Sequence, residues 1–139
     1  MITQEIDPQA VHGALVHLEG VYPGFSQWWA AKVTPGLADG TRRVLADVRD
    51  GRVVAAGVFK RSDDERKICT LWAPEAGTAS MLCRQGMRWL GTDRPSFTVP
   101  HDLMPRYRRL LSEIDAGRYK CVRGVYRADA VECVFDGAR

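Results

Sequence analysis

The sequence predicts a single mixed α/β domain over residues 1–139, in which helices cover the faces of a mixed sheet. Its length suits one domain, because domains commonly contain roughly 100–200 residues. Three apolar segments joined by tight turns, one of them at Asp50-Gly51, predict consecutive antiparallel strands. The strand–helix–strand step that follows needs a crossover connection, which requires at least one parallel pair of strands.

Composition and charge exclude several classes of protein. Hydrophobic residues make up 45% and charged residues 27% of the chain, as in an ordinary globular domain, which argues against disorder. No apolar run approaches the roughly 18 residues of a membrane span, and the opening MITQEIDPQ does not resemble a secretory leader. The net charge of +3 is spread along the chain and is too weak to predict nucleic-acid binding. We therefore expect a cytoplasmic protein with no membrane or nucleic-acid partner.

The sequence contains four cysteines: Cys69, Cys83, Cys121 and Cys133. They form no Cys-x-x-Cys pair and no His-x-x-x-His follows them, so the spacing predicts no metal site. Each cysteine has apolar neighbours, and a reduced cysteine packs as a small hydrophobe. We expect four reduced packing residues, with a reactive Cys69 as the alternative.

Two helices are predicted in the first third of the chain, after a short strand over 2–6. Asp7 and Pro8 suit the N-cap and first position of a helix. Apolar residues then recur at helical spacing until Tyr22-Pro23-Gly24 breaks the pattern: Val11, Leu15 and Leu18. A second helix is predicted over 25–33, because four apolar residues fall on one side of it and are followed by residues expected to end it: Pro35, Gly36 and Gly40.

The remaining elements alternate between strand and helix periodicity, which gives the order β-α-α-β-β-β-α-β-α-β-β. The three consecutive strands are predicted over 42–49, 52–60 and 67–73. The rest are a helix over 77–90, a strand over 96–99, a helix over 102–114, and two strands over 118–126 and 130–135 that can pair as a hairpin.

Four stretches of the sequence, together with this order, resemble a bacterial subgroup of the GNAT acyltransferase superfamily over nearly the whole chain. They are YPGFSQWW at 22–29, KICTL at 67–71, MRWLGTDRP at 87–95 and ECVFDG at 132–137. The resemblance implies the GNAT-like acyl-CoA N-acyltransferase fold.

The resemblance also implies where acetyl-CoA would bind. In this family the fourth strand diverges from the fifth and its free backbone holds the pantetheine arm, while the next turn and helix start hold the pyrophosphate. A helix start suits that task because its unpaired N–H groups attract anions. The implied cofactor-binding residues here are Leu71, Trp72, Ala73, Gly77, Thr78, Ala79 and Ser80.

The turn between that strand and helix departs from the family pattern. The usual signature is Gln/Arg-x-x-Gly-x-Gly/Ala, and this chain has APEAGTASMLC in a shorter segment. Gly77 and Ala79 match its final pair, but the leading arginine and one glycine have no counterpart. Two interpretations follow: the turn is a compact variant, or cofactor binding has been lost.

Acetyl transfer to an amine needs a base and an acid for the leaving thiolate. Tyr107 lies on the helix after the fifth strand, where the family has the tyrosine that acts as the general acid. Tyr107 also belongs to an apolar stripe of that helix. Glu132, in the last strand, is the carboxylate candidate for a catalytic or substrate-binding role. Trp28 and Trp29 are candidates for the wall of the substrate site, and helix packing is the alternative for both.

The sequence therefore predicts an N-acetyltransferase that moves an acetyl group from acetyl-CoA directly to an amine of a small molecule or protein. The alternative is a catalytically inactive GNAT-fold binding or regulatory protein. Whether two chains pair as a homodimer is left open.

Overall fold

The computed structural model describes residues 2–114 and 116–137, with only the backbone of Ala76. Its strands are β1 (Ile2–Thr3), β2 (Arg42–Arg49), β3 (Arg52–Arg61), β4 (Arg66–Trp72), β5 (Phe97–Pro100), β6 (Lys120–Arg123) and β7 (Val131–Phe135). Its α-helices are α1 (Pro8–Leu15), α2 (Phe25–Trp28), α3 (Thr34–Asp39), α4 (Ala76–Leu90) and α5 (Met104–Glu113). Two 3₁₀ turns (Val16–Gly20 and His101–Leu103) and one π-helical turn (Trp29–Val33) join them.

The strands form two antiparallel sheets that meet at one parallel bridge. The order is β1-β2-β3-β4 in one sheet and β5-β7-β6 in the other. Lys67 of β4 bridges Ser96 just before β5, where the Ile68 amide donates to the Ser96 carbonyl at 3.0 Å and the Ser96 amide donates to the Arg66 carbonyl at 2.9 Å. This bridge is the predicted parallel step, and the predicted α/β fold class is confirmed.

Two apolar cores lie on opposite faces of the larger sheet, because side chains alternate between the faces of a strand. Phe59 of β3 packs with residues of α4, α5 and the smaller sheet, such as Leu82 and Phe135. Its neighbour Val58 packs on the other face with α1 and the π-helical turn, where Leu15 and Trp29 are buried. The two cores fix the helices on both faces of β2–β4.

The start of α1 and the β2–β3 hairpin follow the sequence prediction because local chemistry determines them. The Asp7 carboxylate accepts from the Gln9 amide at 3.0 Å and caps the helix. At the hairpin, Asp50 and Gly51 have φ values of 52° and 74°, the positive values that a two-residue turn of this kind requires.

The second helix does not end where the sequence predicts. The π-helical turn carries it past residue 33, and α3 continues to Asp39 before Gly40 ends it with φ of 82°. Pro35 lies in the first turn of α3, where its missing N–H costs nothing. Gly36 is buried, and a Cβ there would lie 2.5 Å from Cγ of Arg42. Gly36 therefore permits close packing instead of breaking the helix.

Three other boundaries also differ from the predictions. β1 covers two residues instead of 2–6, and β6 ends at Arg123 because Gly124 turns the chain with φ of 79°. The helix predicted over 102–114 begins with the 3₁₀ turn at His101–Leu103, and α5 proper starts at Met104.

We predict that Gly86→Ala destabilises the fold. Gly86 of α4 is buried against Phe59, and a Cβ there would lie 2.0 Å from Cε1 of that ring. Both groups are packed in the core, so the overlap should cost about 1–3 kcal/mol in the free energy of unfolding, measured by urea denaturation.

Gly13→Ala is the matched control, since a Cβ at this α1 position would meet nothing within 4 Å. It should raise stability by roughly 0.5–1 kcal/mol, because alanine favours a helix over glycine. Equal stability changes for the two variants would contradict the packing argument.

Candidate functional site

A cavity opens where β4 and β5 diverge beyond their single bridge. We call it the splay cavity; its volume is about 290 Å³. β4 pairs with β3 and β5 pairs with β7, so the two strands separate towards the cavity. Its walls come from both strands, α5 and the first 3₁₀ turn, and include Tyr22, Leu71, Trp72, Val99, Arg106 and Tyr107.

A β-bulge in β4 lies at the wall of this cavity. Val58 pairs with Thr70 and Phe59 pairs with Ile68, which leaves Cys69 as the extra residue. Bulges re-aim strand backbone and are frequent beside active sites. Burial raises the pKa of the Cys69 thiol, and Nη1 of Arg42 donates to its Sγ at 3.1 Å. The cations Arg42 and Lys67 lower the pKa of Cys69, but burial outweighs them, so Cys69 is a protonated thiol at neutral pH.

The predicted cofactor-binding residues fall into two groups. Leu71 and Trp72 line the splay cavity, whereas Ala73 is buried in the core with 6% of its surface exposed. Three residues separate the end of β4 from the start of α4 at Ala76. Gly77 is exposed, and a Cβ there would meet nothing within 4 Å.

The next three predicted positions are less exposed than Gly77. Thr78 and Ala79 are buried, with 7% and 4% of their surface exposed. Ser80 is half-buried and donates a hydrogen bond to the Glu113 carboxylate of α5. Thr78 and Ala79 can therefore offer an anion little beyond their backbone.

The start of α4 carries a guanidinium that the sequence did not predict. The N-cap residue, Glu75, makes no side-chain hydrogen bond to the helix. Arg49, from the end of β2, lies 3.4 Å from both the Glu75 carboxylate and Oγ1 of Thr78, and it pairs with Asp47 at 3.1 Å. No spacing rule connects Arg49 to this turn, because only strand pairing brings the two together.

A second cavity lies on the other side of the bulge. We call it the basic cavity; it has a volume of about 250 Å³ and its walls include Trp28, Arg42, Lys60, Glu65, Lys67 and Tyr126. It shares Tyr22, Cys69 and Thr70 with the splay cavity, so the two meet at the β4 bulge.

The two tryptophans predicted for a substrate wall occupy different places. Trp28 lines the basic cavity. Trp29 is buried in the core beside α1 with 2% of its surface exposed, and its Nε1 finds no hydrogen-bond partner among the described residues. The structure brings only Trp28 of this pair to a described cavity wall.

Tyr22 lies at the junction of the two cavities, where Tyr126 packs against it. The ring of Tyr22 meets the ring of Tyr126 edge-on at 5.0 Å, and the Thr98 hydroxyl donates to Oη of Tyr126 at 3.4 Å. Burial raises the pKa of Tyr22, and the neighbouring Glu132, Tyr126 and Tyr107 raise it further. The sequence did not single out Tyr22, since it lies in a turn with no catalytic spacing.

Glu132 is a buried carboxyl group with an unsatisfied oxygen. It has 1% of its surface exposed, and its Oε1 has no hydrogen-bond partner among the described residues. Burial raises the pKa of Glu132, an effect that Arg127 opposes and Asp102 reinforces. Glu132 also raises the pKa of Tyr22, which lines both cavities. A buried carboxyl group with a raised pKa near such a residue is a candidate acid–base group.

Tyr107 lies on the wall of the splay cavity, and burial raises the pKa of its phenol. The hydroxyl therefore stays protonated at neutral pH. Tyr107 and Glu132 both contribute to the electrostatic environment of Tyr22. Tyr107 thus lines the splay cavity, whereas Glu132 lines neither the splay cavity nor the basic cavity. The catalytic roles of both residues stay predictions.

The other cysteines form neither a disulfide nor a metal site within the described residues. The four cysteines are free, and Cys83 and Cys133 are buried. Cys121 is exposed, so the prediction that it packs in the core is wrong. Within 2–114 and 116–137, no group of three or more His, Cys, Asp or Glu side chains could hold a metal ion. No helix in the described ranges is both long and apolar enough to cross a bilayer.

Comparison with solved structures identifies the fold. The chain is similar, with a TM-score of 0.69, to the crystal structure of a protein from Desulfovibrio desulfuricans assigned as an acetyltransferase of the GNAT family. The likeness covers 97% of this chain and 96% of that one. The chain has the GNAT fold. The sequence identity is 13%, so the likeness concerns the fold and not the activity. No protein-family model and no curated protein matches the chain.

We predict that Glu132 makes this GNAT fold less stable as the pH rises. Burial raises the pKa of Glu132, so the folded state holds its proton more tightly than the unfolded state does. The wild-type protein should therefore lose stability relative to Glu132→Gln as the pH rises from the ordinary glutamate pKa to the pKa in the folded state. The loss should be about 1.4 kcal/mol for each pH unit that separates these two pKa values.

Urea denaturation between pH 3 and pH 8 measures this difference. Glu113→Gln is the control with the opposite sign, because hydrogen bonds from Ser80 and Arg109 lower the pKa of Glu113. There the wild type should gain stability relative to the variant as the pH rises. A stability difference for Glu132→Gln that is independent of pH would contradict the assigned burial effect.

Proposed function

We propose that this chain is an N-acetyltransferase that moves an acetyl group from acetyl-CoA directly to an amine of a small molecule or protein. The observation that carries the proposal is the splay cavity at the β4 bulge. If β4 paired with β5 along its whole length, no backbone edge and no volume would remain for a thioester-bearing arm. The GNAT fold supports the same function by analogy.

The residues at the end of β4 fit the cofactor. The apolar walls at Leu71 and Trp72 suit a pantetheine arm. Gly77 leaves open space at the uncapped start of α4, where free N–H groups and the helix dipole favour a pyrophosphate. Arg49 stands at the same place and can supply the guanidinium that the short turn lacks.

When bound, acetyl-CoA supplies the activated acetyl thioester. Backbone N–H groups of β4 beside the bulge would then polarise its carbonyl. Glu132 would accept a proton from the attacking amine, which its raised pKa favours. The Tyr107 hydroxyl would give its proton to the departing sulfur, since the phenol is protonated at neutral pH.

Cofactor binding tests the first part of the proposal. Gly77→Asp places a carboxylate at the helix start, in space that is open, and should weaken acetyl-CoA binding by at least about tenfold through charge repulsion. Asparagine is nearly the same size as aspartate but carries no charge, so the affinity of Gly77→Asn for acetyl-CoA should stay within about threefold of wild type. Isothermal titration calorimetry measures all three proteins.

Two results would overturn the cofactor assignment: no binding to the wild type at millimolar acetyl-CoA, or equal affinity in the Asp and Asn variants. Binding without turnover of any amine would instead favour the inactive binding or regulatory protein.

The acid role of Tyr107 predicts a specific kinetic defect. Tyr107→Phe keeps the ring in the cavity wall but removes the proton donor, so kcat should fall by about 10²-fold with little change in KM for acetyl-CoA. Tyr119→Phe is the control, because Tyr119 is 50% exposed and does not line either cavity. Steady-state rates with a thiol reagent for released CoA measure both, and an unchanged kcat in Tyr107→Phe would assign the proton to another group.

A further inference from the structure

Three basic side chains stand in a row across the larger sheet at the basic cavity. Arg42 of β2 is directly opposite Lys60 of β3, and Lys60 is directly opposite Lys67 of β4. Directly opposed residues of antiparallel strands project from the same face. All three line the basic cavity, and we call them the cationic row.

The cationic row is unfavourable for folding by itself, because like charges directly opposite one another destabilise a sheet. One carboxylate of the cavity wall compensates it: Glu65 lies 2.9 Å from Nζ of Lys60. The hydrogen bond from Lys60 is the main reason that the pKa of Glu65 is lowered, with smaller contributions from Lys67 and Arg42. Three cations facing one carboxylate leave two net positive charges in the cavity wall.

Arg42 is held in place by packing. A Cβ on Gly36 would lie 2.5 Å from Cγ and 2.6 Å from Cδ of Arg42, so the helix lies directly on the stem of this side chain. The guanidinium lies 5.6 Å from the ring centre of Trp28 and donates to Sγ of Cys69. These contacts fix the cation without neutralising it, since neither partner is an anion.

The cavity restricts the size and chemistry of what can bind there. Its volume of about 250 Å³ suits a small molecule, and the rings of Trp28, Tyr22 and Tyr126 give it an aromatic wall. It joins the splay cavity at the β4 bulge, so a ligand reaching the junction with one end would keep its other end beside the cationic row.

We propose that the cationic row binds the anionic group of the acceptor, and that the acceptor is a small primary amine carrying a carboxylate or a phosphate. The amine identity rests on the proposed acetyltransferase function, whereas the anion site does not. In the transfer, the amine nitrogen forms a bond to the acetyl carbon and the carbon–sulfur bond breaks. Glu132 takes the amine proton, Tyr107 gives its proton to the sulfur, and the products are an N-acetylated acid and free CoA. Polyamines are disfavoured, because the row repels a second positive charge.

The first test measures melting temperature without any cofactor. Lys67→Gln removes one like charge from the row, so the variant should melt a few degrees above wild type. Lys32→Gln, the same change at an exposed helical position outside both cavities, should melt within one degree of it. Added at millimolar concentration, L-phenylalanine and O-phosphoethanolamine should raise the melting temperature of wild type and of Lys32→Gln, but not of Lys67→Gln. Phenethylamine and ethanolamine, which lack the anion, should raise none.

The second test measures acetyl transfer to the same four amines and to spermidine. The anionic member of each pair should have a kcat/KM at least tenfold above its neutral-tailed partner. Lys67→Gln and Arg42→Gln should lower kcat/KM at least tenfold for the anionic amines and less than threefold for the others. The pair with the larger difference identifies carboxylate or phosphate as the preferred group.

The outcomes separate this inference from the proposed function. Acetyl transfer to spermidine or to the neutral-tailed amines at equal or higher kcat/KM would overturn the anion site and leave the acetyltransferase standing. Anion-dependent stabilisation that is lost in Lys67→Gln, with no acetyl transfer, would overturn the acetyltransferase and support the site. Neither stabilisation nor transfer would overturn both.

Discussion

The functional architecture of this protein depends on the parallel pairing of β4 and β5 stopping after one bridge. Lys67 and Ser96 join the two sheets, and beyond them each strand finds its partner on the far side. The bulge at Cys69 turns the β4 backbone where the gap begins. Because helices cover both faces of the larger sheet, its two cores hold β4 in position and the gap remains as an open cavity.

Charge is distributed unevenly around this gap. Arg49 stands beside the α4 start at one end, and the cationic row stands in the basic cavity at the other. Tyr22 and Tyr107 line the splay cavity, and burial raises the pKa values of both and that of Glu132. A centre of low polarity strengthens hydrogen bonds and favours neutral groups. The arrangement suits the proposed reaction, in which a neutral acyl group passes from one molecule with an anionic tail to another.

The sequence predicted features that neighbouring residues determine and missed those that depend on distant contacts. The Asp7 cap, the turn at Asp50-Gly51 and the order of elements needed only local patterns. The helix continues through Pro35 because a π-helical turn changes its register, which periodicity does not reveal. Arg49 and the cationic row emerge only from strand register. Tyr107 and Glu132 were found through the family resemblance, and their catalytic roles stay predictions.

Three features of the structure cost stability. They are the cationic row in the wall of the basic cavity, the unsatisfied Oε1 of Glu132 and the uncapped start of α4. Some other charges have partners: Arg109 pairs with Glu113 at 2.9 Å, and Arg61 stacks 4.5 Å from the ring centre of Trp89 while donating to its carbonyl. A sequence selected for stability alone would remove such costs, since a single substitution suffices at each position. The cationic row, placed in a cavity wall, is therefore a physical argument for function that is independent of the fold's resemblance to known enzymes.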